Sequence, residues 1–516
     1  MSVLRRFWTV SGLTILSRVL GVFREGILIH CLGATAEMDA FSAAFKFPTF
    51  FRRLFAEGGM QSIFVPFFND YYAVGKVRGA LYFASRLFTL VFWTMLIFTV
   101  LVCIFAKQFV ILMVPGFAQS PDKLAFATEF TRIIFPNVWC VAISTIYSGI
   151  LIARKRLQRY ALAPILINLI LIASLFIGVD GIAAGHRISY GILLSGIFIF
   201  FYMRWQVSRS GLPMPRLSSV RLTTGTRLFL KKLVPVLVTA GVMQINIFVG
   251  TVVASFCPTG CITYIYCADR FVQLPLAMFG IAMGLVLLPE ISEALATKQL
   301  DAINDVQSRA VTFTLRLTLP SVVGLVILGY YFVSIVYGHG RFTETAVLST
   351  TRILQIVSIG LPASVLVKIM TSVLIAQKDS KTPVVAATAA IMANAIVSVV
   401  LAIPLQEIGI AIATTVSGIV NAYWLLRKAE IRSMFSMPLM VDLAKIMIAS
   451  VVMGAVMIGV SHILRSIDLT SEILFVIISG IIGLVAYCAS LVLLKDSAAL
   501  AIKRRITTYA LNPRAR

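Results

Sequence analysis

Ionisable residues are scarce in this sequence. Aspartate, glutamate, lysine and arginine make up 13% of its 516 residues, whereas hydrophobic residues make up 59%, and the mean hydropathy is +0.95. This composition excludes an ordinary soluble protein. Apolar runs of about 20 residues, long enough to cross roughly 30 Å of hydrocarbon as a helix, recur along the chain between short polar loops. The sequence therefore predicts an all-α, polytopic integral membrane protein without a soluble domain.

Motifs that would support catalysis are also lacking. The sequence contains no glycine-rich phosphate loop ending in lysine and no nucleophile elbow. Its histidines are too scattered to form a metal site: His30, His186, His339 and His462. We therefore expect neither an enzyme nor an ATPase, and no cofactor. Transport would then use an ion gradient, the membrane potential or the substrate gradient.

Hydropathy predicts about 14 membrane-spanning helices. They are placed at residues 7–30, 36–72, 83–106, 125–153, 161–179, 188–204, 229–255, 262–296, 310–337, 347–376, 383–403, 408–426, 440–463 and 471–494. Basic residues outnumber acidic ones by 45 to 21, and most of them fall in every second loop, which the positive-inside rule assigns to the cytoplasm. Both termini are therefore expected in the cytoplasm. The external loop after the seventh span contains CPTGC, so Cys257 and Cys261 could either form a local disulfide or remain free thiols.

A weak internal repeat divides the spans into two halves. Phe47-Pro48 matches Leu274-Pro275, Pro66 matches Pro289, Phe135-Pro136 matches Leu361-Pro362, and Asn168 matches Asn394, all at a similar offset. Transporters are often built from such duplicated halves. We predict one six-helix lobe over residues 1–220, a second over 221–432, and two further helices with a basic tail over 433–516. The lobes are expected to be pseudo-symmetric around a central cavity, with the second and eighth spans kinked or broken at their prolines.

Charged residues within spans are concentrated between Ser17 and Glu57. A charge at the centre of a lone membrane helix costs about 2.5–3.5 kcal/mol on insertion scales, so such residues usually face a bundle interior or a wet cavity. Helical spacing places polar or small residues of the first span along one stripe: Ser11, Thr14, Arg18, Gly21 and Glu25. Arg24 lies beside this stripe. In the second span, one helical face carries Asp39, Ser42, Lys46, Thr49, Arg53 and Glu57. Arg52 lies beside this face.

Each of these charges has a structural interpretation as well as a functional one. Arg18 could pair with an acid of a neighbouring helix, and Arg52 or Arg53 could snorkel at a span end. Asp39 is expected to neutralise an arginine of the first span, because an unpaired buried carboxylate would protonate. In the eighth span, Thr263, Tyr266, Arg270 and Gln273 lie along one face. Arg270 either pairs locally, for example with Asp269, or faces the arginines of the first half.

Arginines that converge in a cavity favour an anionic substrate. The planar guanidinium donates paired hydrogen bonds to the oxygens of phosphate or carboxylate, and it stays charged at any working pH. The sequence therefore predicts a substrate that carries phosphate or carboxylate groups, and it argues against a cationic drug.

Several sequence blocks resemble those of the MurJ/MviN flippases of the MOP exporter superfamily, over essentially the whole chain. They are SRVLGVFRE at 17–25, MDAFSAAFKFP at 38–48, RRLFAEG at 52–58 with FVP at 64–66, ADR at 268–270 and KTP at 381–383. The resemblance implies a flippase that carries the lipid-linked peptidoglycan precursor lipid II from the cytoplasmic to the periplasmic leaflet of the bacterial inner membrane by alternating access. The two extra helices would form a groove for the lipid tail.

The resemblance also implies which residues hold the pyrophosphate and acidic peptide of the headgroup or switch the lobes: Arg18, Arg24, Asp39, Arg52 and Arg270. We add as secondary site candidates Lys46, Thr49, Arg53, Glu57, Thr263 and Gln273. Many relatives have asparagine where this chain has Thr49 and glutamate where it has Gln273. Some relatives bind sodium through carboxylates, but the seventh span here has no acid, which argues against a sodium site.

Two other functions remain as alternatives. A multidrug- or polysaccharide-type exporter of the same superfamily would share the fold, and a membrane scaffold would need no transport site. A multidrug antiporter should carry acids in its first or seventh span, whereas the first span here carries Arg18 and Arg24. We expect a monomer that interacts with its lipid-linked substrate and with cell-wall synthesis proteins, and not with nucleic acid.

Overall fold

The computed structural model describes residues 3–55, 59–73, 77–177, 183–212, 214–219, 223–276, 300–377, 379, 381–428, 437–466 and 471–496. These residues are helical almost throughout and include no β-strand. The predicted all-α, polytopic membrane fold is therefore confirmed.

Backbone contacts divide the chain into two compact units. The first comprises Met1–Thr263 with His339–Thr343, and the second comprises Tyr264–Gly338 with Glu344–Arg516. The predicted lobe boundaries at residues 220 and 432 remain a prediction.

The helices of the first unit are α1 (Val3–Leu32), α2 (Ala36–Phe55), α3 (Gly59–Ala73), α4 (Val77–Ile104), α5 (Ala106–Met113), α6 (Pro121–Ile134), α7 (Pro136–Ala153), α8 (Leu157–Ala161), α9 (Ala163–Phe176), α10 (Ala184–Arg209) and α11 (Thr224–Ala254). A short 3₁₀ helix at Pro115–Gln119 joins α5 to α6. Helix α12, residues 261–276, begins in the first unit. The helices after it are α13 (Leu300–Tyr337), α14 (Glu344–Ile359), α15 (Leu361–Ala376), α16 (Lys381–Lys428), α17 (Met437–Ser466) and α18 (Glu472–Leu493).

The observed helices refine several predicted spans. The segment predicted as one span at 347–376 consists of α14 and α15, which are bent by 44°. The two spans predicted at 383–403 and 408–426 are the arms of α16, whose path turns at Gln406, where φ is +47°. The segment predicted at 36–72 contains α2 and α3, with residues 56–58 outside the described part.

Eight helices of the described part have the length and apolar composition needed to cross a membrane, or up to nine if the bent pair α14–α15 counts as one span. Helices α1 and α2, which carry most of the charges predicted within spans, are not among them. Helix α2 continues past Pro48 to Phe55 without a break. Pro275 lies next to the last described residue of α12, and Pro289 lies outside the described residues.

Large aromatic residues contribute to the core of the first unit. Phe64, Phe68 and Tyr147 are fully or almost fully buried there. In lipid, helices associate mainly through close packing and interhelical hydrogen bonds, because lipid tails are as apolar as the side chains. One apolar cluster of the second unit lies between α13, α17 and α18, where Met453 and Met457 are buried. Cys257 and Cys261 are not joined by a disulfide bond.

Candidate functional site

Two arginines of α1 differ in their surroundings. Arg18 is exposed, and no acid within 4 Å of it is found among the described residues. The side chain of Arg24 is 13% exposed and forms a salt bridge with Glu25, whose side chain is 3% exposed. Arg24 Nη1 also donates a hydrogen bond to Asn168 Oδ1 of α9 at 3.0 Å. Arg18 is therefore accessible, whereas Arg24 is held by two neighbouring side chains.

Asp39 of α2 is fully buried and has four hydrogen-bond donors around it. Lys123 Nζ of α6 lies 3.1 Å from Oδ2, and the Gly260 N–H lies 2.8 Å from the same oxygen. The backbone N–H and the hydroxyl of Thr263 donate to Oδ1 at 3.0 and 2.7 Å. The expectation that Asp39 pairs with an arginine of the first span is wrong, because its cationic partner is Lys123.

The contacts of Asp39 place its carboxylate at the start of α12. The first N–H groups of a helix have no intrahelical acceptor and carry partial positive charge, so a carboxylate there satisfies donors and gains electrostatic stabilisation. Gly260 reaches the carboxylate with φ at +98°, a conformation that glycine adopts at little cost. Asp39 therefore caps α12 from another helix, and Thr263 belongs to the same group.

Two basic residues of α2 contact polar groups of α11. Lys46 Nζ donates to Thr251 Oγ1 at 2.6 Å, and Arg53 Nη1 donates to Gln244 Oε1 at 3.1 Å. Between them, the Phe47 ring stacks on Phe248 with centroids 5.7 Å apart. Both of these partners are neutral, and each contact links α2 to α11.

The remaining candidates of the first unit are Thr49, Arg52 and Glu57. Thr49 Oγ1 donates to the Phe45 carbonyl within its own helix at 3.0 Å. Arg52 is half-buried. Glu57 and the side chains of Ser11 and Thr14 lie outside the described residues.

In the second unit, Arg270 is held by a residue of its own helix. Its Nη2 donates to the Tyr266 hydroxyl at 2.8 Å, and its guanidinium carbon lies 4.5 Å from the Tyr266 ring centroid. A cation over an aromatic face is stabilised by about 0.5–2 kcal/mol. Gln273 donates to the exposed Asp269 carboxylate. Tyr266, Arg270 and Gln273 thus lie on one face of α12, as predicted, and the Tyr266 side chain holds the Arg270 guanidinium in place.

Sequence reasoning missed Lys123 and the role of Asn168. Lys123 lies 84 positions from Asp39 and just before a predicted span, so no spacing rule links the two. The sequence indicates Asn168 only as a repeat match, although an asparagine in an apolar helix is itself a signal for a polar partner on a neighbouring helix.

Comparisons with known proteins agree with one another. The family described as "Lipid II flippase MurJ" matches residues 28–478. A "Probable lipid II flippase MurJ" of Rhizobium meliloti is 34% identical over 467 residues, which cover 88% of this chain and 86% of that protein. One of Rhizobium tropici is 32% identical over 469 residues, covering 90% of this chain and 88% of that protein.

Solved structures give the same picture. A structure described as "Lipid II flippase MurJ, inward closed conformation" has a TM-score of 0.80 at 28% identity and covers 94% of this chain and 99% of that one. An inward-facing multidrug resistance MATE transporter of the MOP superfamily has a TM-score of 0.64 at 15% identity, covering 81% of this chain and 95% of that one. The second likeness concerns the fold alone.

Proposed function

The chain belongs to the lipid II flippase MurJ family, and from this premise we propose that it moves lipid II from the cytoplasmic to the periplasmic leaflet of the bacterial inner membrane. The family match and the relatives span most of the chain. Such a protein is a transporter and not a catalytic enzyme. The basic loops support an orientation with both termini in the cytoplasm.

The proposed headgroup site uses Arg18, Arg24, Arg52 and Arg270. The observation that carries it is the pair on α1, where Arg18 is exposed and Arg24 has one carboxylate partner and one neutral partner. A pyrophosphate offers several oxygens that match the paired donors of guanidinium groups. Arg18 would make the first contact with the anion, and Arg24 would exchange its bond with Glu25 for a bond with phosphate.

Lys46, Arg53, Thr49, Gln273 and Glu57 are proposed as secondary positions around the headgroup. Lys46 and Arg53 are cations whose side chains contact Thr251 and Gln244 of α11, and a cation near the headgroup attracts an anion. We propose that Asp39 and Thr263 contribute by fixing the start of α12, since both are fully buried. Arg270 lies further along that helix, so its position depends on how the helix is held.

We propose that alternating access carries the headgroup across the membrane while the polyprenyl chain stays in lipid. A negatively charged headgroup moving outward is favoured by an inside-negative membrane potential, by about 2.3 kcal/mol per charge per 100 mV. The potential could therefore drive the step without a resident cofactor, in a monomer. No acid is present in α11 to bind a coupling cation.

Reconstitution in lipid vesicles tests this function. Vesicles would contain the purified full-length protein and either labelled lipid II or a labelled polyprenyl phosphate that lacks the peptide. We expect faster movement of lipid II between leaflets than in protein-free vesicles, with a further increase when a potential is applied. Equal rates with and without protein for both lipids would contradict the proposal, and movement of the polyprenyl phosphate alone would favour another exporter of the superfamily.

A further inference from the structure

Asn168 lies in a largely apolar sequence of α9, APILINLILIASLF, and is only 7% exposed. Its amide carries both an acceptor and a donor group, and each is costly to bury without a partner. A residue of this kind in a membrane helix therefore marks a specific contact with a neighbouring helix.

Both groups of the Asn168 amide find partners on α1. Oδ1 accepts the hydrogen bond from Arg24 Nη1 at 3.0 Å, and Nδ2 donates to the Ser17 carbonyl at 2.9 Å. The opposite amide orientation would turn the NH₂ group toward the guanidinium and the oxygen toward the carbonyl. The two contacts together thus fix the orientation of the amide.

Gly21 of α1 lies opposite the Asn168 amide. A Cβ atom at position 21 would lie 3.9 Å from Asn168 Nδ2, an ordinary van der Waals distance, so the amide lies close to the backbone of α1. Ser17 and Arg24 lie on either side of Gly21 in the sequence. One asparagine therefore joins a backbone carbonyl and a guanidinium of the same helix, which ties the direction of the Arg24 side chain to the backbone of α1.

We propose that Asn168 is a positioning residue that aims Arg24 at the phosphate of the substrate, an inference that rests on the proposed function. Asn168 is a neutral acceptor, so it orients the guanidinium without cancelling its charge. Glu25 is then the resident counter-ion, which the substrate phosphate replaces. A second carboxylate at position 168 would hold Arg24 equally well but would lower its attraction for an anion.

A double-mutant cycle tests the coupling between the two residues. Binding of lipid II, and of the neutral lipid undecaprenol, would be measured for the full-length protein in nanodiscs with four variants: wild type, N168A, R24A and the double variant. A hydrogen bond to a charged group is worth about 1.5–3 kcal/mol. We therefore expect N168A to weaken lipid II binding at least tenfold and the double variant to bind no more weakly than R24A.

Asn137 provides a matched control. It is also a buried asparagine of a membrane helix, and its Nδ2 donates to the Ile192 carbonyl at 2.7 Å without contact to an arginine. We expect N137A to lower the thermal midpoint of unfolding like N168A but to retain lipid II affinity. N168D should bind lipid II at least as weakly as N168A, although it preserves the side-chain shape.

The outcomes separate this inference from the proposed function. The positioning role alone would be overturned if N168A bound lipid II with wild-type affinity. It would also be overturned if the losses of binding free energy in R24A and N168A added up in the double variant. In both cases the wild type would still prefer lipid II. If the wild type binds undecaprenol as tightly as lipid II, the proposed function and the inference both fail.

Discussion

Lys123 donates a hydrogen bond to Asp39 at 3.1 Å, and the two side chains are only 7% and 0% exposed. A buried carboxylate of α2 is thus neutralised from α6, and its other contacts are donors at the start of α12. The charge is therefore part of the packing between three helices. This arrangement explains how an acid can be retained in a segment with so many basic residues without neutralising them.

The first prediction concerns this buried pair. Removing one partner leaves the other charge buried and uncompensated, which costs about 3–5 kcal/mol. We expect Lys123→Met and Asp39→Ala each to lower the thermal midpoint of the detergent-solubilised protein strongly, as measured by fluorescence-detected size-exclusion chromatography. The double variant Lys123→Met with Asp39→Asn should recover part of the loss, because no lone charge remains.

Lys107 supplies the control for that experiment. It is an exposed lysine of α5 in the same unit, so Lys107→Met should change the midpoint little. If Lys123→Met is no more destabilising than Lys107→Met, the buried pair does not hold α2, α6 and α12 together.

The second prediction concerns Arg18. Because the side chain is exposed, Arg18→Ala should leave protein levels and thermal stability nearly unchanged. It should nevertheless fail to support growth of cells depleted of their native flippase. Arg18→Lys keeps the charge but not the planar fork, so we expect intermediate growth. Exposed Arg132 of α6 is the control position, and full growth of Arg18→Ala would remove Arg18 from the proposed site.

The sequence was sufficient to predict the helical class and the shared face of Tyr266, Arg270 and Gln273 on α12. Periodicity places residues on one face of a helix, because side chains three and four positions apart share that face. It does not show which neighbouring helix meets that face. The sequence predicts an arginine of the first span as the partner of Asp39, but the residues that contact its carboxylate lie 84, 221 and 224 positions away.

Bends within helices were harder to predict. The break between α14 and α15 lies at Gly360, and Pro362 follows near the start of α15. Proline lacks the N–H that would continue the helix ladder and clashes with the preceding turn. The sequence identified Leu361-Pro362 only as part of the repeat. At Pro48 the same residue type left α2 unbroken, so the effect of a proline depends on packing that the sequence does not show.

The third prediction concerns Asp379, which precedes α16. Its Oδ1 accepts the backbone N–H groups of Lys381 and Thr382, both at 3.0 Å. Hydrogen bonds from Thr382, followed by that from Lys381, hold the pKa of the Asp379 carboxyl below its ordinary value. Because the folded pKa is depressed, the stabilisation is present above the unfolded pKa of about 3.9 and is lost as the pH falls through the lower folded value.

Amide hydrogen exchange would measure this effect. At neutral pH, Asp379→Ala should speed exchange at Lys381 and Thr382, since an N-cap of this kind contributes about 1 kcal/mol. The difference from wild type should shrink below about pH 3.9. An equal difference at pH 7 and at low pH would show that the charge of Asp379 is not what protects these amides.

The last prediction concerns the two helices at the end of the described chain. Arg316 Nη2 of α13 lies 2.7 Å from Asp496, just after α18, and 3.7 Å from Asp442 of α17. The Tyr487 hydroxyl of α18 donates to the Arg316 carbonyl at 2.8 Å. We expect Arg316→Ala to destabilise the docking of α17 and α18 by up to about 3–5 kcal/mol, because Asp496 is fully buried.

Limited proteolysis in detergent would detect that change as faster cleavage near α17 and α18. Arg316→Lys keeps a cation within reach of the two carboxylates and should be affected less. Arg465→Ala is the control, because Arg465 is exposed and, within the described part of the chain, donates only to the Tyr331 hydroxyl, at 3.3 Å. If Arg316→Ala is cleaved no faster than Arg465→Ala, the apolar contacts of Met453 and Met457 hold these helices without the ionic cluster. The cluster would then matter for the exact placement of α18 and not for its stability.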